Sequence, residues 1–148
     1  MKRLLAMRHA KSGFKEPGQQ DHDRRLSEKG CRDVPIMGQL VCEQGIIVDT
    51  IISSTAKRAR KTVAKVAKAS GFDGDLQFEA GLYHGDCETW LSLLRNVPER
   101  NDRVMVVGHN YVHPGISSSS NLFVRSCSAV HRNDQRGPIV YDFLNGLS

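Results

Sequence analysis

Short apolar runs alternate with longer amphipathic stretches along most of this chain. RLLAM at 3–7 forms the first run, TIISS at 50–54 the second and RVMVVG at 103–108 the third. Short apolar runs bounded by polar or turn residues read as buried strands. Between them the spacing is helical. Ser27 is an N-cap for a helix reaching to about Gln44, with Val34, Met37 and Val41 on one face and Leu40 alongside. Gly30 and Pro35 weaken that helix, since an interior proline costs about 3 kcal/mol. Gly45 fits its stop. A second helix is predicted from about Ala56 to Ala69 on the stripe Ala59, Val63, Val66 and Ala67. Its other face carries Lys57, Arg58, Arg60, Lys61, Lys65 and Lys68, with no acid among them. A helix from about Glu88 to Asn96 puts Trp90, Leu91 and Leu94 on one side. Residues 76–82 read as a short strand or extended segment, and 11–26 as a polar loop. In 138–144, Ile139, Tyr141 and Phe143 alternate as a last strand would.

Strands alternating with helices indicate an α/β sandwich around a largely parallel sheet. The 148 residues are one domain by length. The composition, 39% hydrophobic and 25% charged, is that of an ordinary globular chain. A surplus of 21 Lys+Arg over 16 Asp+Glu favours anionic partners without naming one. Cys31, Cys42, Cys87 and Cys127 form no C-x-x-C pair and no zinc-like spacing with histidine. Scattered thiols and the lack of a signal-like or membrane-length apolar run point to a cytoplasmic protein. A plastid form stays open if the precursor is longer. The basic helix has no interleaved aromatics and no reader motif, so nucleic acid is not an expected partner.

In parallel α/β sheets, ligands bind beyond the carboxyl ends of the strands. The first predicted strand ends in Met7, Arg8 and His9. The second ends in Ser53-Ser54, with Arg58 in the first turn of the helix that follows. The third ends in Gly108-His109. If these strands are neighbours, Arg8, His9, Arg58 and His109 converge. Each has an ordinary reading: a surface dipeptide, one of six solvated charges, a strand-end cap. Together they make a cationic pocket with two imidazoles. Guanidiniums fork onto phosphate oxygens. A neutral imidazole is a nucleophile towards phosphorus, nearby cations keep it neutral, and a second imidazole can donate to oxygens that gain charge.

Read together, LLAMRHAKS (4–12), DHDRRLSEKG (21–30), IISSTAKRARKT (51–62) and VMVVGHN (104–110) resemble the histidine phosphatase, or phosphoglycerate mutase-like, superfamily. The closest resemblance is to its short SixA-like branch of phosphohistidine phosphatases. Order and spacing match over roughly the first 110 residues. The resemblance implies a three-layer α/β/α sandwich with a largely parallel central sheet, no metal and no cofactor. It implies His9 as the nucleophile that becomes a phosphohistidine, with Arg8, Arg58 and His109 binding the phosphoryl group. Arg24 would be a further phosphate or substrate contact.

Many members carry a glutamate after a leucine as general acid; the comparable stretch here is AGLYHGDCE (80–88), where His84 stands near that place. Asp86, Glu88, Glu79 and, more weakly, His84 are the alternatives, unless all four merely solvate a loop. A phosphoramidate needs less help from an acid than an ester does. The expected partner is therefore a phosphorylated substrate, a phosphohistidine-bearing signalling protein. The alternatives are a small-molecule phosphomonoesterase of the same superfamily and an inactive phosphate- or protein-binding module.

The family-like core is 1–110. The segment 111–148 departs from the pattern, because Pro114-Gly115 and the serines at 117–120 are poor helix material. Such an end predicts an under-covered sheet face, an exposed Trp90 or 104–107 strand, and weakly cooperative thermal unfolding.

Overall fold

The computed structural model describes residues 3–109, 123–126 and 140–144. In chain order the elements are β1 (Arg3–Arg8), a 3-10 turn (Asp21–Asp23), α1 (Glu28–Glu43), β2 (Thr50–Ser54), α2 (Lys57–Ser70), β3 (Asp75–Glu79), α3 (Gly81–His84), α4 (Cys87–Arg95), β4 (Arg103–Gly108), β5 (Phe123–Ser126) and β6 (Val140–Leu144). They build one sheet in the order β3-β2-β4-β1-β6-β5. The first four strands are mutually parallel, while β6 runs antiparallel to β1, and β5 to β6.

The apolar runs are continuous because both faces of the sheet are covered, which is what parallel strands require. Successive side chains point to opposite faces. Leu5, Met7, Ile51, Met105 and Val107 therefore meet Val34, Met37 and Val41 of α1 and Val63 and Val66 of α2. Leu4, Ile52, Val104 and Val106 meet Leu82, Trp90, Leu94 and Val97 on the other side. This is the expected α/β/α sandwich. Trp90 and residues 104–107 are buried, correcting the expected exposure. Leu82 and α4 cover that face, a role the C-terminal departure from the pattern had put in doubt.

Ser27 caps α1 through Oγ, which accepts the Gly30 N–H at 3.0 Å. Pro35 sits inside α1 without ending it. The N–H it lacks would have served the Cys31 carbonyl; Lys65 Nζ of α2 donates to that oxygen instead, at 3.4 Å. At the far end, Ile46 N–H reaches the Val41 carbonyl and Gly45 N–H that of Cys42, with Gly45 at φ +62. That is a Schellman stop, which needs the left-handed residue glycine supplies. Gly38 lets α1 lie close on α2: a β-carbon there would meet Ala69 Cβ at 2.5 Å and the Val66 carbonyl at 2.8 Å. This close packing seats α2, and with it Arg58.

Three readings are refined. Arg58 is 6% exposed and leaves the solvated face of α2. The segment 76–82 splits into β3 and α3, the chain turning at Ala80. The strand expected at 138–144 is β6, but the facing of Ile139, Tyr141 and Phe143 lies outside what the structure describes, as do residues 111–122. No apolar run announced β5. Among the described residues no helix is long and apolar enough to cross a membrane.

Candidate active site

The three strands with suggestive ends are neighbours, in the order β2-β4-β1. Arg8 is in register with Gly108, and His9 N–H donates to the Gly108 carbonyl at 2.9 Å. Their carboxyl ends thus open at one place, and α2 starts two residues beyond β2. The structure brings His9, Arg58 and His109 into direct contact there.

His9 is buried. Its Nδ1 lies 2.8 Å from the Ala10 carbonyl, which can only accept, so Nδ1 carries the proton. Nε2 is then the lone-pair nitrogen, and Arg58 Nε donates to it at 3.1 Å. The geometry is braced from behind. Ala10 N–H donates to Thr62 Oγ1 at 3.1 Å, and the same hydroxyl donates to the Arg58 carbonyl at 2.8 Å. Burial lowers the His9 pKa to about 4; the charges of Arg58, Arg8 and Arg24 lower it too, against the raising effect of the Ala10 bond. The imidazole is neutral at pH 7.

His109 lies edge-on to His9, with ring centroids 4.8 Å apart. Arg58 Nη2 faces its Nδ1 at 3.3 Å, which places the proton on Nε2, 3.0 Å from Ser54 Oγ. Burial, then His9 and Arg58, lower its pKa to about 3. The sequence reading had its N–H aimed at a phosphoryl oxygen; in this arrangement that N–H goes to Ser54.

The cations gather on one acid that was not singled out. Asp21 Oδ1 accepts Arg24 Nη1 at 2.9 Å, and Oδ2 accepts Arg58 Nη2 at 2.8 Å and the Tyr83 hydroxyl at 2.7 Å. Arg58 Nη1 reaches the Asp21 carbonyl at 2.5 Å. The Tyr83, Arg24 and Arg58 bonds hold the Asp21 carboxyl well below the usual range. Burial, followed by Asp21, raises the Tyr83 pKa, so its hydroxyl keeps its proton. The Tyr83 ring stands 5.1 Å from that of His109 and 4.9 Å from that of His22, which bonds Thr55 Oγ1 at 3.0 Å.

Arg24 also donates Nη2 to Ser12 Oγ at 3.0 Å and to the Gly13 carbonyl at 2.8 Å. Arg8 and Arg24 each keep a buried Nε–H with no partner among the described residues. Burial lowers the Arg8 pKa.

His84 is exposed, stacked 3.9 Å from Tyr83, and its charge is felt at His109. Two of the other acid candidates are engaged elsewhere. Asp86 caps α4, accepting the Thr89 N–H at 2.9 Å and hydroxyl at 2.8 Å, and Glu88 pairs with Arg95 at 3.0 Å. Glu79 ends β3, half-buried. Asp21, Ser54 and Tyr83 were missed, although all three lie in stretches already quoted. Asp21 stands three residues before Arg24, and Tyr83 directly precedes His84. Among the described residues no group of three His, Cys, Asp or Glu side chains could hold a metal ion.

The fold matches known structures. A candidate phosphohistidine phosphatase SixA of Agrobacterium tumefaciens is 35% identical, with a TM-score of 0.70 over 74% of this chain and 70% of that one. A protein described likewise from Nakamurella multipartitia is 34% identical, with a TM-score of 0.64 over 77% and 62%. An uncharacterized Mycobacterium tuberculosis protein is 34% identical over 103 residues, 70% of this chain. The chain spans 62% of the length of that relative. The model of the histidine phosphatase superfamily, branch 1, matches residues 4–137, past the point where the motifs end. With its strand ends meeting at His9 and a match over most of its length, the chain belongs to the histidine phosphatase superfamily, branch 1.

Proposed function

We propose that this chain is a metal-independent phosphatase that passes the phosphoryl group through His9, with a phosphohistidine-bearing protein as its substrate. One observation carries the reading. His9 presents a neutral, lone-pair Nε2, its proton fixed on the Ala10 side, to a guanidinium that also reaches the second imidazole. Nε2 attacks phosphorus, and the bond from phosphorus to the leaving atom breaks with its electron pair going to that atom. Water then attacks the phosphorus on His9, and the Nε2–P bond breaks to release inorganic phosphate and restore the imidazole. Arg58 and the unspent Nε–H groups of Arg8 and Arg24 are the donors for the phosphoryl oxygens. His109 joins them when its N–H leaves Ser54.

The proton supply supports this substrate class. Asp86 and Glu88 are committed to α4, and Asp21 is held ionised. A leaving nitrogen that protonates readily suits such a site better than an alkoxide does. The relatives described as phosphohistidine phosphatases support the same class.

The test is rapid labelling, quenched in alkaline detergent, with a phosphorylated protein histidine in the presence of EDTA, beside a panel of phosphomonoesters. Transient label on the wild type, none on His9→Ala, and preference for phosphohistidine are expected. Turnover by His9→Ala would sink the mechanism. Loss of activity in EDTA would sink metal independence, and faster ester hydrolysis would move the substrate to small phosphate esters.

A further inference from the structure

Asp21 gathers both chains of cationic contact onto one carboxylate. Arg58 is held through both terminal nitrogens, Nη1 on the Asp21 carbonyl and Nη2 on Oδ2. A guanidinium is planar, so fixing both ends fixes the direction of its Nε–H. That N–H is the one aimed at His9 Nε2. Through Oδ1 the same carboxylate holds Arg24, whose other terminal nitrogen grips Ser12 and Gly13. We infer that Asp21 is the positioning residue of the phosphoryl clamp: it sets the plane of Arg58 and the reach of Arg24 without touching the reacting atoms. The inference rests on the phosphatase reading above.

A carboxylate suits this task where a neutral acceptor does not. Three side-chain donors converge, two of them cationic, and two ionised oxygens can accept all three. Asparagine of the same shape has one acceptor oxygen and would turn an NH2 towards another donor.

The pH behaviour separates positioning from mere support. His109 is faced by His9 after β1, Ser54 of β2, Arg58 of α2, Asp21 of the 3-10 turn, and Tyr83 and His84 of α3. Asp21 is the charge in that ring that raises the His109 pKa; His9, Arg58 and His84 lower it. Removing the Asp21 charge from an intact site leaves His109 at least as resistant to protonation. Loosening the site admits water and lets both imidazoles drift up towards their ordinary value of about 6.5.

The experiment uses the full chain as wild type, Asp21→Asn, Asp21→Glu and, as a stability control, Ser27→Ala. It measures kcat and KM for a phosphorylated protein histidine from pH 4 to 8, together with the Arg58 Nε–H signal by 15N NMR. Asp21→Asn is expected to lower kcat about 30- to 100-fold with KM within about threefold, because aim matters most in the transition state. Its acid limb stays at or below the wild-type position, the Arg58 Nε–H signal is lost, and Asp21→Glu recovers part of kcat. Ser27→Ala lowers Tm and keeps kcat. A kcat within threefold of wild type, an acid limb moved up towards 6.5, or an equal loss in Ser27→Ala overturns the inference. If the wild type itself shows no turnover, the phosphatase reading fails. The NMR signal then decides Asp21 by itself: its loss in Asp21→Asn supports the clamp, and its persistence overturns it.

Discussion

The two ends of this sheet treat charge in opposite ways. At the amino ends of the strands, polar groups answer one another. Asp49 accepts the Arg103 N–H at 2.8 Å and lies 3.6 Å from its side-chain Nε, while Asn101 donates to the buried Thr50 hydroxyl. At the carboxyl ends, Arg24 and Arg58 meet on the carboxylate of Asp21, two imidazoles are held neutral, and the buried Nε–H groups of Arg8 and Arg24 have no partner among the described residues. A paired end holds strands in register. An end with surplus buried donors suits the phosphoryl group proposed for it, because an unpartnered buried donor costs stability. The sheet and its two cores are common to both ends, so the difference lies in what each strand carries just past its last apolar residue.

The comparison breaks most sharply at His9. His9→Ala is expected to lower turnover at least ~10³-fold while unfolding stays close to wild type, as read by single-turnover kinetics and thermal melting. Arg58→Lys comes next, at about 10²-fold in kcat/KM, because an ammonium cannot serve His9, His109 and Asp21 from one plane. A preserved rate would mean charge alone suffices. The pH profile should be flat from 8 to about 5 and fall as His9 protonates near 4. Stability follows the same groups. Both imidazoles titrate near 6.5 in the unfolded chain and lower in the fold. The unfolded chain therefore takes up protons first, and stability, fully present above pH 6.5, declines towards pH 4. His109→Asn should make that decline shallower in melts across the range.

At the opposite end, Thr50→Val leaves the buried Asn101 amide without its partner. It should cost about 1–3 kcal/mol in denaturant titration and leave kcat/KM within about threefold. The smallest effect is expected from Asp86→Ala, which removes the α4 cap. Tm should drop slightly and the rate hold; a large rate loss would return Asp86 to the role of acid.

Much of this was legible along the chain. The strands at 3–8, 50–54 and 103–108 announce themselves because parallel strands covered on both faces are apolar without interruption. Ser27 and Gly45 mark the ends of α1 by local chemistry alone, a cap that accepts and a residue that tolerates positive φ. Trp90 was placed on the right face of α4, yet its burial depends on Leu4, Val104 and Val106 from strands far away in the sequence. The β5 strand carries no distinctive apolar run, because its pairing with β6 supplies what its side chains do not signal.

The sequence by itself determined which residue types stand at the strand ends, and so that Arg8, His9, Arg58 and His109 would share one edge of the sheet once the strands were neighbours. Tertiary structure decided how they face one another. The helical pattern put Arg58 among solvated lysines, but its position in the first turn of α2, beside His9 and the 3-10 turn, buries it and gives it three partners. Asp21 lay unremarked in a polar loop, because nothing in a loop's composition says which carboxylate will meet two arginines and a tyrosine 62 residues away. Patterns of period 2 and 3.6 report burial along an element. The meeting of charges depends on distances between elements, and those are settled only when the sheet order and helix packing place the loops side by side.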